Sequence, residues 1–522
     1  MSTKVASISN IGSKGLNTDI AEWDLPAEYI THGSNFRVFS GSIVSSLPPS
    51  EWSTAPALFN PGFLMWVQSI NSLWLIAGRN KVYAFDGSAW YDISSGLYPG
   101  LSADHEINWT GCMMGNIALV NNPQHYPEYW SQVSSGQVLQ PLQFDDLNTW
   151  EEKGYTFKIL RSHKNFLFAL NLQEGSDDLP NSYRWSHPAD ENGLPFTWDE
   201  NDLSAIAGKA QLGGDSGRII DGRSLRDSFV IYSENGIDIL TPTRDEFVWR
   251  RDEMSNTIGL INKQCIAEVK GVHFFLGDGD IFKNDGTSIE SIVHNRIRKR
   301  LTSNMNTEFY DRSFVVRNTT AKEAWFCVPE GTSEYPNIAY VYNWRDDSWS
   351  MRDLPENLSF AAYGQKSEPV TRWEEWEGTW EEQTGTWGSS SPSVLEDTII
   401  GVDNATSTLL SIDNIRGAIT SDIKTVIERT NLPIDGQIQS NMVTCVYPHI
   451  DGQSPVKIQI GSHLFADSPV SWKPAVTFTP GIDRKVDIRS TGTLHAWRIS
   501  SIGTGSFSLS GMDVHYSPSG KK

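Results

Sequence analysis

Paired carboxylates are the residues most able to carry a reaction here, because a glycoside hydrolase needs two acids flanking the bond it cleaves. The acidic neighbours are Glu374 with Glu375, Glu381 with Glu382, and Asp278 with Asp280. Neighbours on one loop seldom bracket a substrate, and Asp is favoured in turns for its local side-chain hydrogen bonds, so these read as solvated turns. Gly277-Asp278-Gly279-Asp280 has the start of a calcium loop but lacks the further spaced ligands of an EF-hand, which leaves a hairpin turn. The 11 histidines are scattered, with no HExxH helix, Cys-x-x-Cys pair, P-loop or Gly-x-Ser-x-Gly elbow. Nothing in the residues supports an enzyme, and no catalytic residue, cofactor or metal is expected.

Two other segments could make contacts with a partner. Ile292 to Leu301, IVHNRIRKRL, sets Val293, Ile297 and Leu301 four apart on one apolar face and predicts a short helix near 292–301. Arg296, Arg298, Lys299 and Arg300 then project mostly elsewhere, as candidates for subunit docking or a DNA-channel contact, with a solvated face as the plain alternative. Thr371 to Gly388 reads TRWEEWEGTWEEQTGTWG, a turn-rich stretch whose Trp373, Trp376, Trp380 and Trp387 form a candidate interface loop. Its two Gly-Thr-Trp triplets partly match the Ser-x-Asp-x-Gly-x-Thr-Trp turn of sialidases, but neither has the Ser-x-Asp. That departure counts against a sialidase.

The elements that must hold these residues are strands. With 522 residues the chain is too long for one ordinary core, so several domains or one repetitive architecture is expected. Its 20 Trp, 42 Gly and 25 Pro favour turn-rich β structure. A net charge of -21 argues against a surface devoted to gripping DNA or an anionic membrane. Cys112, Cys265, Cys327 and Cys445 lie far apart and read as single reduced thiols. The N-terminus lacks the apolar core of a signal peptide, and no run approaches the length that spans a bilayer, so synthesis and folding in a cytoplasm are expected.

Phe229 to Trp249, FVIYSENGIDILTPTRDEFVW, gives the repeating pattern: an apolar run, a turn at Asn235-Gly236 suited to positive φ, a return strand, and a further turn before a third strand. Similar units start near residues 73, 117, 166, 229, 272, 324 and 398, a spacing compatible with propeller blades carrying insertions. The expected fold is all-β: a six- or seven-bladed β-propeller-like hub over 51–423, an extended N-terminal arm over 1–50 that includes an exposed strand at Phe36 to Ile43, and a β-sandwich over 424–522. Seven short strands from Val426 to Val514 define the sandwich. The tail from Ser517 to Lys522, lacking apolar residues, is expected to be loose.

GLNTDIAEWDLPAEYITHGSNFRV near the start, RWEEWEGTWEEQTGTWG, and the late ERTNLPIDG, VYPHIDG, GIDRKVDIRSTGTLHAWRIS and LSGMDVHY resemble the tail nozzle, or tail tubular protein B, of short-tailed bacteriophages. The resemblance implies a structural virion protein, made in the host cytoplasm and located in the tail. It further implies a homohexamer below the portal-adaptor ring that extends the DNA exit channel, carries fibres or spikes, and passes DNA non-specifically without inserting into a membrane. The rival reading is a propeller adhesin or glycan-processing protein whose four indoles stack on sugar faces.

Overall fold

Each recurring apolar run becomes the second strand of a four-stranded antiparallel meander. The computed structural model describes residues 3–68, 73–96, 98, 103–131, 137–190, 193–243, 248–366, 396–413, 424–436, 439–452, 454–503 and 506–521. The runs fall in Leu73–Gly78, Ile117–Asn121, Phe166–Glu174, Ser228–Ser233, Val272–Gly277, Glu323–Val328 and Glu396–Asp403. We number the sheets built on them 1 to 7 in chain order. A strand packed on both faces has no solvent side, which is why these segments lack alternation: Glu323–Val328 is buried throughout. The turn at Asn235-Gly236 closes with the Ser233 amide donating to the Gly236 carbonyl at 2.8 Å. Contrary to expectation, neither turn residue takes positive φ.

The first strands of these sheets are Pro61–Val67, Thr110–Met114, Tyr155–His163, Ile219–Leu225, Ile266–Val269, Phe314–Asn318 and Leu358–Lys366. They touch one another in chain order, and Leu358–Lys366 of sheet 7 also touches Pro61–Val67 of sheet 1. Apolar side chains fill the space between neighbouring sheets. Leu75 and Ala84 meet Ala118 and Val120 between sheets 1 and 2, and Trp74 and Ile76 meet Ile400 and Val402 between sheets 1 and 7. Phe168 and Phe229 stack between sheets 3 and 4 with ring centroids 4.2 Å apart.

The N-terminal residues are strands in four different sheets. Lys4–Ser9 pairs with Phe507–Lys521, Gly15–Leu16 extends sheet 6 through Trp349, and His32–Ser34 pairs with Val426–Leu432. The hairpin Phe36–Phe39/Ser42–Ser45 joins Phe507–Lys521 through Ile43 and Val44, and Ser50–Thr54 is the fourth strand of sheet 7. Phe36, Val38 and Ile43 are buried, so the strand expected to be exposed presents only alternate side chains, such as Phe39, to solvent. Period-two alternation reads the same for a free strand and for one laid on a core.

Gly15 is the tightest point of this lacing. Its φ is +72°, and a Cβ there would stand 2.0 Å from the Trp349 carbonyl oxygen. Gly15→Ala is expected to cost about 2–3 kcal/mol, from left-handed backbone strain plus a clash with backbone that cannot rotate away. Denaturant titration would measure it.

Residues from 426 onward form two six-stranded sheets completed by N-terminal strands. One is centred on the long pair Gln439–Gly452 and Phe507–Lys521, the other on Val456–His463 and Leu494–Ser501. Val486–Gly492 alternates strictly between buried and exposed side chains, as a strand with one face on a core should. The tail is not loose, because Lys521 pairs with Gln439 and backbone pairing needs no apolar side chain. Ile427, Val446 and Ile499 belong to one buried cluster with Ile11 and Phe36 of the N-terminal segment and Phe275 and Phe326 of sheets 5 and 6.

Beneath the hairpin lies a buried ion network. Arg37 donates to Glu323 and to Asp413, and Arg352 donates to the other Asp413 oxygen, each at 2.8 Å. Asn318 Nδ2 adds a bond of 2.6 Å to Asp413. The N-terminal segment is thereby tied to sheets 6 and 7 by charge as well as by strand pairing.

Candidate functional site: a cavity among the first strands

A strand that puts most of its side chains into neighbouring sheets has few positions left for polar groups. The first strands nevertheless carry Arg161, Asp221, Arg223, Glu268 and Arg317. Together the seven strands and their flanking residues line an open cavity of about 660 Å³. Sheets 1 and 7 supply an apolar wall that includes Phe63, Met65, Phe360 and Tyr363, whereas Arg161, Arg223, Arg226 and Arg317 come from sheets 3, 4 and 6 and the turn after the first strand of sheet 4. Phe63 and Phe360 stack with centroids 5.6 Å apart, joining the apolar side into one surface.

Two of the arginines are neutralised in place. Arg161 grips Asp221 with Nε and Nη2 at 2.8 and 2.9 Å, and both side chains are almost wholly buried. Burial alone would raise the Asp221 carboxyl, but Arg161 holds it below the ordinary carboxylate range. Asp221 also accepts the Gln264 amide at 2.9 Å, which docks the start of sheet 5 on sheet 4. Arg317 Nη1 donates to the Glu268 carbonyl at 2.8 Å and to its carboxylate at 3.2 Å.

Arg223 has no such partner. It makes no hydrogen bond among the described residues, and its Nε is buried. Burial, with Arg161 and Arg317 nearby, pulls its pKa down to about 10 against the attraction of Asp221 and Glu268, so the guanidinium stays charged at neutral pH. Gln264, held at φ +65°, also lines the cavity, and its Nε2 is buried without a hydrogen-bond partner among the described residues. Burial pushes the Cys112 thiol up to about 12, which removes the one cysteine of the lining as a nucleophile near neutrality. In an adjoining recess with Asp311 and Arg312, Lys263 donates to Asn108 at 2.8 Å, and burial pulls its ammonium down to about 8.

The basic segment lies elsewhere. Its helix runs Arg298–Asn304, later than expected, because Val293 to Ile297 form a turn, yet Val293, Ile297 and Leu301 are all fully buried. Asp19 accepts the Arg298 and Lys299 amides at 3.0 and 2.9 Å. Arg296 pairs with Asp347 at 3.0 Å, Arg298 with Asp280 at 3.7 Å and Arg300 with Glu330 at 3.6 Å, while Lys299 donates to the Asp19 carbonyl at 3.3 Å. The Arg298 and Lys299 amides and the Lys299 ammonium thus anchor the N-terminal segment, and the three arginines meet acidic residues of this same chain. Asp280 also accepts the Ser291 hydroxyl at 2.7 Å, and Asp278-Gly279 forms the hairpin turn with Gly279 at φ +66°. Trp373, Trp376, Trp380 and Trp387, and the acid pairs at 374–375 and 381–382, lie outside the described residues. Among the described residues no cluster of His, Cys, Asp or Glu is arranged to hold a metal ion.

No family model and no curated protein sequence matches this chain. Solved structures similar to it include the computationally designed Ika8 protein, at 8% identity and TM-score 0.35 over 73% of this chain and 98% of that one. PorZ, a surface component of the type-IX secretion system of Porphyromonas gingivalis, is similar at 11% identity and TM-score 0.38, over 73% of this chain and 43% of its own. Kluyveromyces lactis Hsv2 is similar at 8% identity and TM-score 0.33, over 60% of this chain and 94% of its own.

The residues of the cavity leave a trace in the sequence that the search for motifs passes over. Ile219–Leu225, Ile266–Val269 and Phe314–Asn318 each lie a few residues upstream of a recurring apolar run. They are short and mixed, and their charges read as ordinary strand exteriors.

Proposed function

We propose that the chain is a structural subunit of a short-tailed phage tail, the nozzle below the portal-adaptor ring, built on a closed seven-bladed propeller. The observation that carries this reading is the lacing of residues 4–54 through four sheets at once. A passive conduit under load from packaged DNA must not open locally. A chain whose first residues are strands of its last sheets, and whose Ser50–Thr54 completes sheet 7, cannot release sheet 6, sheet 7 or either C-terminal sheet without pulling on the N-terminal strands that those four share. The cyclic contacts of the first strands and the apolar layers between successive sheets support ring closure. The sequence segments near both ends that resemble tail nozzles support the tail assignment.

On this reading the copies form a homohexamer through repeated heterologous contacts, with DNA passing through the channel and fibres or spikes attached outside. The chain carries out no reaction. Six copies carry a large negative charge, which disfavours DNA retention. Light scattering with negative-stain imaging, on the protein alone and mixed with an adaptor ring, is expected to give a closed six-fold ring in at least one condition. A monomer that ignores the adaptor and binds glycans would overturn the assignment in favour of the adhesin.

A further inference from the structure

We propose that Lys263 and Asn108 join in an isopeptide bond, a covalent tie that the chain makes within itself. The two side chains meet in the recess beside the cavity. Asn108 ends the short helical turn before the first strand of sheet 2, and Lys263 precedes the first strand of sheet 5. Sheets 3 and 4 separate them in the series of first-strand contacts, yet Lys263 Nζ donates to Asn108 Oδ1 at 2.8 Å across 155 residues of chain. Both residues are half-buried. Phe63, Trp109, Phe314 and Phe360 supply the apolar lining of a recess of about 30 Å³. That volume takes roughly a water or two and no organic substrate, so the electrophile within reach of the amine is one the chain supplies.

Amide exchange onto an amine needs a free-base nucleophile, a reachable carbonyl carbon and a proton relay. Burial lowers the Lys263 ammonium to about 8; Asp311 and Asp221 partly offset that shift, and Arg161 and Lys158 add to it. About one amine in ten is then free base at pH 7, against roughly one in three thousand at the ordinary value. Arg312 faces the same recess but pairs with Glu334 at 2.7 Å. The hydrogen bond aims Nζ at the carbonyl oxygen of Asn108, not at Cγ. The Cβ–Cγ torsion of an asparagine is broad, and turning it presents the carbonyl face to the amine without moving either backbone. Asp311 lines the recess too, held there by Asn262, the neighbour of Lys263, which donates to the Asp311 carbonyl. Its carboxylate takes the proton that the attacking amine sheds and returns it to the leaving nitrogen. The bond from Lys263 Nζ to Asn108 Cγ forms, the Cγ–Nδ2 bond breaks, and one ammonia departs. No oxidant, reductant or co-substrate enters the balance.

The bond closes a 155-residue loop between sheets whose first strands are not neighbours, and crosslinks over long loops restrict the unfolded chain most. It forms once per chain and turns over no substrate, which suits a passive structural subunit. The test is mass spectrometry of the full-length protein incubated near pH 8.5, intact and after tryptic digestion. The expected result is an intact mass lower by one ammonia and a branched peptide joining the segments that contain Asn108 and Lys263. An asparagine that cyclises onto its own backbone loses the same mass but joins no peptides, so the branched peptide decides. Its initial rate of formation should be about twentyfold lower near pH 6.5, following the free base. Lys263→Arg and Asn108→Ala should abolish it, Asp311→Asn should slow it at least tenfold, and the wild type should melt higher after incubation than before. Absence of the joined peptide from the wild type overturns the proposal, and an unchanged rate in Asp311→Asn overturns the relay through Asp311. None of these outcomes bears on six-fold assembly, so this bond and the tail reading stand or fall separately.

Discussion

Acidification from pH 7.5 to 5 is expected to lower the unfolding free energy by ~2 kcal/mol for each of two buried histidines, His273 and His495, rising to ~3 kcal/mol each below pH 4. Burial pulls both rings from the ordinary 6.5 down to about 4. For His273, Arg223 lowers the value further while Glu268 and Asp221 partly offset it. For His495 the neighbouring His463 adds to the depression. The sign follows from proton counting: between pH 4 and 6.5 the unfolded chain binds protons that the folded one refuses. The contribution is complete above 6.5 and is lost as pH falls through that window.

The hydrogen bonding of His273 gives the structural reason. Its Nε2 donates to the Ser224 carbonyl and its Nδ1 accepts from the Tyr232 hydroxyl, both at 2.8 Å, while Tyr232 itself accepts from Asn284 at 3.1 Å. A proton on Nδ1 would set a donor against that hydroxyl. Among the described residues neither ring nitrogen of His495 has a well-formed hydrogen bond, and only the nearby Gly492 backbone favours its proton. Raised carboxyl groups such as Glu128 and Asp238, both dominated by burial, act in the opposite direction, so the test is a difference. Unfolding free energies at pH 7.5 and 5 should differ less in His495→Phe than in the wild type. An identical pH dependence would rule out the assignment to His495.

What the sequence makes legible is what lies between sheets. Phe166–Glu174 and Val272–Gly277 announce themselves because both faces of such a strand are buried, and the sequence period follows from that burial. The Arg298–Asn304 helix is readable for its apolar face but not for its start, since its first amides are capped by Asp19, 279 and 280 residues earlier in the chain. The shortest N-terminal strands are unreadable for the same reason. Gly15–Leu16 and Tyr29–Ile30 are two residues long, and Gly15 is a strand because Trp349 and Tyr29 lie on either side of it. Arg223 exposes the limit for the cavity: one arginine in a short mixed strand is unremarkable until every nearby acid has been assigned to another cation. Pairing is a property of the assembled sheets, and sequence spacing carries no trace of it.

Asp413→Ala is expected to cost about 3–5 kcal/mol, a large share of the roughly 5–15 kcal/mol that stabilises a folded domain. Burial would raise the Asp413 carboxyl, but Arg37 and Arg352 outweigh it and hold the group ionised. Burial acts against Arg37 too, and Asp413 with Glu323 more than restores its charge. Removing the shared acid leaves Arg352, 2% exposed, without its carboxylate, and leaves Arg37 with Glu323 alone. Asn318 loses its acceptor as well. The damage should be local to the join between the N-terminal hairpin and sheets 6 and 7, since Arg37 is contributed by the hairpin, Arg352 by sheet 6, and the Asp413 carbonyl accepts from Thr398 of sheet 7 at 2.9 Å. Hydrogen exchange should therefore report faster opening at Phe36–Phe39 and Ser348–Asp353 than in sheets 2 and 3, alongside a lower denaturation midpoint. Uniform exchange with an unchanged midpoint would mean that strand pairing alone holds the segment in place. Local opening would instead identify the ion network as the lock on the lacing, and make hexamer formation in this variant a direct test of whether assembly requires that lock.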